Sequence, residues 1–162
     1  MSVRVSFSLL LRHPTHLLAF GFGAGLASKA PGTFGSMVAL PIYYFAQALP
    51  VAGYAALVAA MFIVGIAICA NAERALGVHD HPGIVWDEIV GLLATLFMVP
   101  PGWLWVAVGF GLFRLFDIWK PFPISWINRH VGGGLGIMLD DLAAALCAAL
   151  GLHAAYHIWM LS

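Results

Sequence analysis

Every Asp, Glu, Lys and Arg of the chain falls in one of three windows, residues 1 to 35, 71 to 88 and 114 to 141. The stretches outside them are apolar for most of their length. Residues 51 to 70 and 142 to 161 are runs of twenty, and at 1.5 Å per residue such a run matches the hydrocarbon core of a bilayer, about 30 Å thick. The pattern predicts a membrane-spanning helix over each.

Shorter apolar runs at 36 to 49, 89 to 99 and 103 to 113 read as limbs of hairpins. Pro50, Pro100, Pro101 and Gly102 supply the turns, because proline cannot continue a helical hydrogen-bond ladder and glycine tolerates the reversal. Hairpins at 36 to 70 and 86 to 116, followed by one final span, bring all three charged windows to one side of the membrane. That side is expected to be the cytoplasm, since all seven Lys and Arg are there and positive charge orients membrane segments inward. An eleven-residue limb reaches only about half the bilayer, so the limbs are read as tilted, partly re-entrant, or extended by neighbours such as Trp86 and Phe116. Trp103, Trp105 and Trp159 suit an aromatic belt on the far side. The expected architecture is an all-α, polytopic membrane helical bundle with short hairpin limbs and a cytoplasmic-face active site, residues 1–162 forming a single domain.

Composition agrees, with 62% hydrophobic and 9% charged residues and a mean hydropathy of +0.96, far from the roughly 25% charged of ordinary soluble proteins. A formal net charge of zero gives no reason to propose nucleic acid as a partner. Cys69 and Cys147 sit in apolar runs without His or Cys at metal-ligand spacing and read as small packing or lipid-facing residues. Only four residues separate Cys69 from Arg74, whereas a cysteine-phosphatase loop needs five. At the N-terminus Arg4 precedes "VSFSLLL", but Arg12 cuts the run short and no small-x-small cleavage site follows, so this segment is expected to be retained.

The candidate chemistry lies in the windows. Asp87 and Glu88 head one apolar run, "WDEIVGLLATLF", and Asp140 and Asp141 head another, "DDLAAALCAALG". Ionisable residues at membrane helix ends are costly and mark functional sites by default, with interfacial anchoring as the alternative. Together with Asp117 they make five carboxylates. Adjacent helical positions point about 100° apart, so each pair is expected to supply one metal ligand and one neighbouring group. Gly91 and Ala94 behind Asp87, and Ala143, Ala144 and Cys147 behind Asp140, are small enough to let helices approach closely. Converging like charges require a cation, and an all-oxygen set favours magnesium over zinc. Asp87, Glu88, Asp117, Asp140 and Asp141 are therefore the candidate metal ligands.

Basic and glycine-rich segments indicate what such a metal acts on. "ASKAPGTFGSMVALP" places Lys29, Gly32, Thr33 and Ser36 just before an apolar helix, with Ser36 read as its N-cap, and free N–H groups at a helix N-terminus cradle phosphate. The turn lacks the Walker pattern. "FRLFDIWKPFP" sets Arg114, Asp117 and Lys120 at three-residue steps on one helical face that stops at Pro121. A guanidinium fork, a carboxylate and a mobile ammonium suit a phosphate site beside a metal, or else a solvated helix end. His79, His81 and His130 lie in the polar windows and could shuttle protons, with a surface or supporting role the favoured reading of each. His153 and His157 have metal-pair spacing but lie far from the carboxylates.

Three blocks, "KAPGTFGS", "HDHPGIVWDEIVG" and "FRLFDIWKPFPISWINRHVGGGLGIMLDDLAA", cover most of the chain from residue 29 to 145 and resemble, in order, those of the bacterial phosphatidylglycerophosphatase A family. The resemblance implies an all-helical membrane enzyme, dependent on Mg2+, that removes the phosphate monoester of phosphatidylglycerophosphate to give phosphatidylglycerol at the inner membrane, with its active site facing the cytoplasm. Catalysis is then expected from Asp87, Glu88, Asp117, Asp141, Lys29 and Lys120, and phosphate binding from Lys29, Gly32, Thr33, Ser36, Arg114 and Lys120. Direct attack by an activated water is preferred over a phosphoenzyme, since no DxDx[TV] loop is present, and both stay open. Membrane lipid is the expected surrounding and an oligomer is possible. The competing reading is a small cation-coupled transporter or channel, against which the charges gather at one face instead of running through the midplane.

Overall fold

The computed structural model describes residues 7–78 and 81–162, apart from the side chains of Ser8 and Leu9. Arg4 and His79 lie outside the described residues. Among these the chain forms α1 (Phe7–Arg12), α2 (Pro14–Ala19), a 3-10 segment (Gly21–Leu26), α3 (Pro31–Ala46), α4 (Val51–Leu76), α5 (Trp86–Thr95), α6 (Trp103–Trp119), α7 (Ile124–His130) and α8 (Gly133–Leu161), with no strand. All-α was the expected class.

Two helices, α4 and α8, are long and apolar enough to cross a membrane. At 26 and 29 residues they measure about 39 and 44 Å. Only 17% of the apolar window of α4 is buried by the rest of the protein, so α4 is not the covered core helix of a soluble fold, which hides an all-round apolar surface. Ile63, Val64, Leu146 and Leu150 are exposed on the two helices. Both extend past their apolar runs: α4 continues through Glu73 and Arg74 to Gly77, whose left-handed backbone (φ 66°) ends it.

The shorter limbs differ from expectation in their ends. Helix α3 starts at Pro31, where proline suits the first helical position, and not at Ser36. Ser36 lies inside the helix, buried, and its hydroxyl donates to the carbonyl of Gly32 at 2.9 Å, so it is not an N-cap. Helix α5 has ten residues, about 15 Å, half of a bilayer core. It is almost wholly enclosed, with Ile89, Leu92 and Leu93 fully buried. Its final turn is tied internally: the Tyr54 hydroxyl donates to the Leu93 carbonyl at 2.8 Å and Thr95 Oγ1 to Gly91 at 3.0 Å. A helix ending among apolar side chains needs such partners, because unsatisfied carbonyls there are costly.

Helix α8 is the central post, packed against α4, α5, α6 and α7, while α3 packs on α5 and the 3-10 segment. Glycine sets the closest approach. A Cβ on Gly134 would stand 2.1 Å from the Ile66 carbonyl oxygen and 2.6 Å from the Ala70 nitrogen, and one on Gly91 would stand 2.6 Å from the Phe113 ring. The far end of the bundle is aromatic: Tyr43 packs edge-on to Tyr54 and Trp103, and Trp105 to Tyr156 and Trp159.

Gly134→Ala should force α4 and α8 apart and destabilise the protein by about 1–3 kcal/mol, the usual cost of overpacking. Gly111→Ala, where an added Cβ meets nothing within 4 Å, should unfold at or slightly above the wild-type temperature. Thermal unfolding in detergent reads both, and equal midpoints for the two variants would mean that α4 and α8 are not held by that contact.

Candidate active site

The polar ends of four helices meet around a cavity of about 270 Å³ at the end of the bundle opposite the aromatic cluster. Its walls are Pro31 and Gly32 from the first turn of α3, Pro82 and Ile84 from the loop before α5, Asp87 and Glu88 from the first turn of α5, Arg114, Asp117 and Lys120 from the end of α6, and Asp141 from α8. Acidic side chains in a first helical turn complement the positive end of the helix dipole, which explains locally why α5 tolerates Asp87 and Glu88 there. Asp140 and Asp141 have no such help. Helix α8 begins at Gly133, so they sit about two turns inside it and not at its head.

One carboxylate oxygen each of Asp87, Glu88 and Asp141 lies within 4.8 Å of the other two. Asp87 and Asp141 are buried, and Glu88 Oε2 and Asp141 Oδ2 receive no hydrogen bond from any described residue. Buried acceptors in that condition are expensive unless something charged answers them. An all-oxygen set of this kind can hold a hard divalent cation. Both members of the α5 pair join the group, in contrast to the expected division into one ligand and one neighbour. The α8 pair does divide: Asp141 faces the group, and Asp140 turns to accept hydrogen bonds from Lys120 Nζ at 2.5 Å and Asn128 Nδ2 at 2.8 Å.

Asp117 is likewise drawn to a cation, its Oδ2 standing 2.5 Å from Arg114 Nη1. The same guanidinium nitrogen is 3.9 Å from Glu88 Oε1. Over this trio lies the backbone of Gly32, where an added Cβ would come within 2.2 Å of Glu88 Oε1 and 3.0 Å of both terminal Arg114 nitrogens. Glycine is needed there for space. Lys120 follows α6 as its cap with a left-handed backbone (φ 44°), rarely adopted by a residue with a side chain, and Asp140, itself oriented by the Asn128 amide, holds its ammonium at the cavity wall.

Other residues singled out from sequence fall elsewhere. Lys29 is exposed and Thr33 half-buried, and neither lines the cavity. Ser36 is engaged with Gly32 inside α3. His81 accepts a hydrogen bond from the Gly83 amide at 3.0 Å, a turn-forming role, and His130 stacks on Trp126 at the exposed end of α7. His153 and His157 are on the last turns of α8, about 18 Å or more along the helix from Asp141. Asn128 and Pro82 were not anticipated. An amide within "WINRH" carried no spacing signal, and α7, which presents it, is too short to stand out.

These features define an all-helical protein with membrane-length apolar helices and one acidic site faced by two cations. The phosphatidylglycerophosphatase A family profile matches residues 17–156. Phosphatidylglycerophosphatase A of Escherichia coli (strain K12) is 45% identical over 154 residues, 94% of this chain and 90% of its own. That of Haemophilus influenzae is 42% identical over 153 residues, 93% of each chain. A Bacteroides thetaiotaomicron relative, 37% identical over 140 residues, 80% of this chain and 86% of its own, carries a provisional name, that of a phosphatidylinositol-3-phosphatase. No solved structure matches. The chain belongs to the phosphatidylglycerophosphatase A family.

Proposed function

We propose that this protein hydrolyses the phosphate monoester of phosphatidylglycerophosphate to phosphatidylglycerol, dependent on Mg2+, as a multi-pass protein of the bacterial inner membrane with its site toward the cytoplasm. The observation that carries the reading is the convergence of Asp87, Glu88 and Asp141 opposite Arg114 and Lys120 in a member of this family. The two cations suit the dianionic monoester: Arg114 as a fork for two phosphoryl oxygens, Lys120 as a point charge. Asp117 and Asp140 fix those cations in place, Asp117 through the guanidinium and Asp140 through the ammonium. They act as positioning residues.

Asp87, Glu88 and Asp141 would hold Mg2+, which when bound polarises the phosphoryl oxygens and activates a water. The chain's own part is to orient the ester and neutralise charge that grows on the phosphoryl oxygens in the transition state. A carboxylate oxygen of the acidic group that the ion would leave free can accept the proton of the attacking water. The transporter reading has less support: the apolar centres of α4 and α8 carry no Asp, Glu, Lys or Arg between residues 51 and 70 or after Asp141, and ion pathways need such groups at depth.

Asp87→Asn, Glu88→Gln and Asp141→Asn should each leave a folded protein whose phosphate release falls on the order of 10²-fold or more, by analogy with lost transition-state donors and disturbed metal shells. His157→Gln, at an exposed position, should keep its rate. Near-normal turnover in all three amide variants would relegate these carboxylates to helix anchoring. Chelation tests the metal: phosphate release by the purified protein should stop with EDTA and return with added magnesium, and full turnover in chelator would remove the cation from the mechanism. For topology, a single cysteine in place of His130, with both native cysteines removed, should resist an impermeant thiol reagent applied to intact cells. Efficient labelling there would place the site on the outer side.

A further inference from the structure

Helices α3 and α6 both flank the site, yet they are not closely packed on one another along their length. Between them runs an apolar groove of about 300 Å³ lined by Met37 and Leu40 of α3 and by Trp103, Val106, Ala107 and Phe110 of α6. Its relation to the acidic cavity follows from helical spacing. Phe110, Ala107 and Trp103 lie four, seven and eleven residues before Arg114 and therefore share its helical face. On α3, Met37, Leu40 and Tyr44 lie four, seven and eleven residues after Thr33, the neighbour of the Gly32 that covers Glu88 and Arg114. The two stripes face each other and end where the Tyr44 and Trp103 rings stack, 6.5 Å between centroids.

The α6 stripe along the groove thus runs from one turn below the cation read as the phosphate ligand to the stacked aromatic rings, Trp103 lying about 16 Å along the helix from Arg114. The groove walls are open to the surroundings: Met37 and Trp103 are half exposed, and Ala107 is exposed as well as small. The comparable descent below Asp87 is blocked, since the Phe113 ring fills the space over Gly91. The cleft between α4, α5 and α8 is also apolar and has none of the acidic residues in its walls.

We infer that the α3–α6 groove receives an acyl chain of the lipid phosphate monoester, which enters the site sideways from the bilayer with its phosphate on Arg114 and its hydrocarbon along Phe110, Ala107 and Leu40. This rests on the phosphatase reading. A chain lying there exchanges lipid contact for protein contact, so the groove selects by shape and length and holds the phosphate in register with the carboxylates.

The test is Ala107→Trp, a substitution at an exposed position that fills the groove without touching the cavity. Rates are measured in mixed micelles on a long-chain phosphatidylglycerophosphate and on a short-chain analogue with two- to four-carbon acyl groups, too small to reach Ala107. The long-chain substrate should lose about tenfold or more in kcat/KM, chiefly through KM, as expected when binding equal in the ground and transition states is removed. The short-chain analogue should keep its rate within about twofold, which also reports an intact fold. Equal losses on both substrates, or no loss on either, would overturn the groove assignment while leaving the phosphatase reading in place. Failure of the wild-type protein to release phosphate from either substrate would instead overturn that underlying reading.

Discussion

Three carboxylates within 4.8 Å of each other repel, when ionised, by about 3 kcal/mol per pair at an effective dielectric of about 20, and nearly everything at this end of the bundle answers that repulsion. The N-terminus of α5 presents its dipole to two of the acids. Arg114 approaches Glu88 from α6, steadied from the other side by Asp117. Gly32 gives up a side chain so that α3 can close over the pair. Helix α8 offers Asp141 no terminal dipole, since Asp141 lies about two turns inside it. The acids, the glycine and the two bases form one electrostatic unit spread over four helices, and the bundle's packing serves to keep that unit in register.

Much of this was readable in the residues. The twenty-residue runs mark α4 and α8, and Pro50 and the Pro100–Gly102 turn separate the limbs correctly, because chain length and backbone chemistry act locally. The failures are tertiary. Ser36 had the residue type of a cap, but Pro31 is a stronger start signal and burial turns the serine hydroxyl back onto its own helix. Asp140 and Asp141 are equivalent by composition, and only the position of Asn128 and Lys120 decides which of them meets the acidic group. The separation of Lys29 from the cavity is equally invisible in sequence, where it stands three residues from Gly32.

The glycine and alanine positions behind the acids were expected to permit close approach, and their effect is specific. Gly91 accepts an aromatic ring from α6, while Gly134, ahead of the acids and not among the expected positions, takes the backbone of α4. The half-length α5 can therefore be walled in by its neighbours and end inside the apolar layer, with Tyr54 meeting the carbonyl of Leu93 near its end. The acids at its other end are held by a short rigid post instead of a loop.

The open seam between α3 and α6 makes reactant encounter a two-dimensional problem. A molecule arriving along that seam does not leave the lipid sheet, so the abundance that governs the reaction is its mole fraction among neighbouring lipids and not its concentration in water. Every bulk phospholipid becomes a weak competitor for the seam. The turnover of such a protein is then tied to the composition of the membrane around it, and the product is released directly into the pool it replenishes.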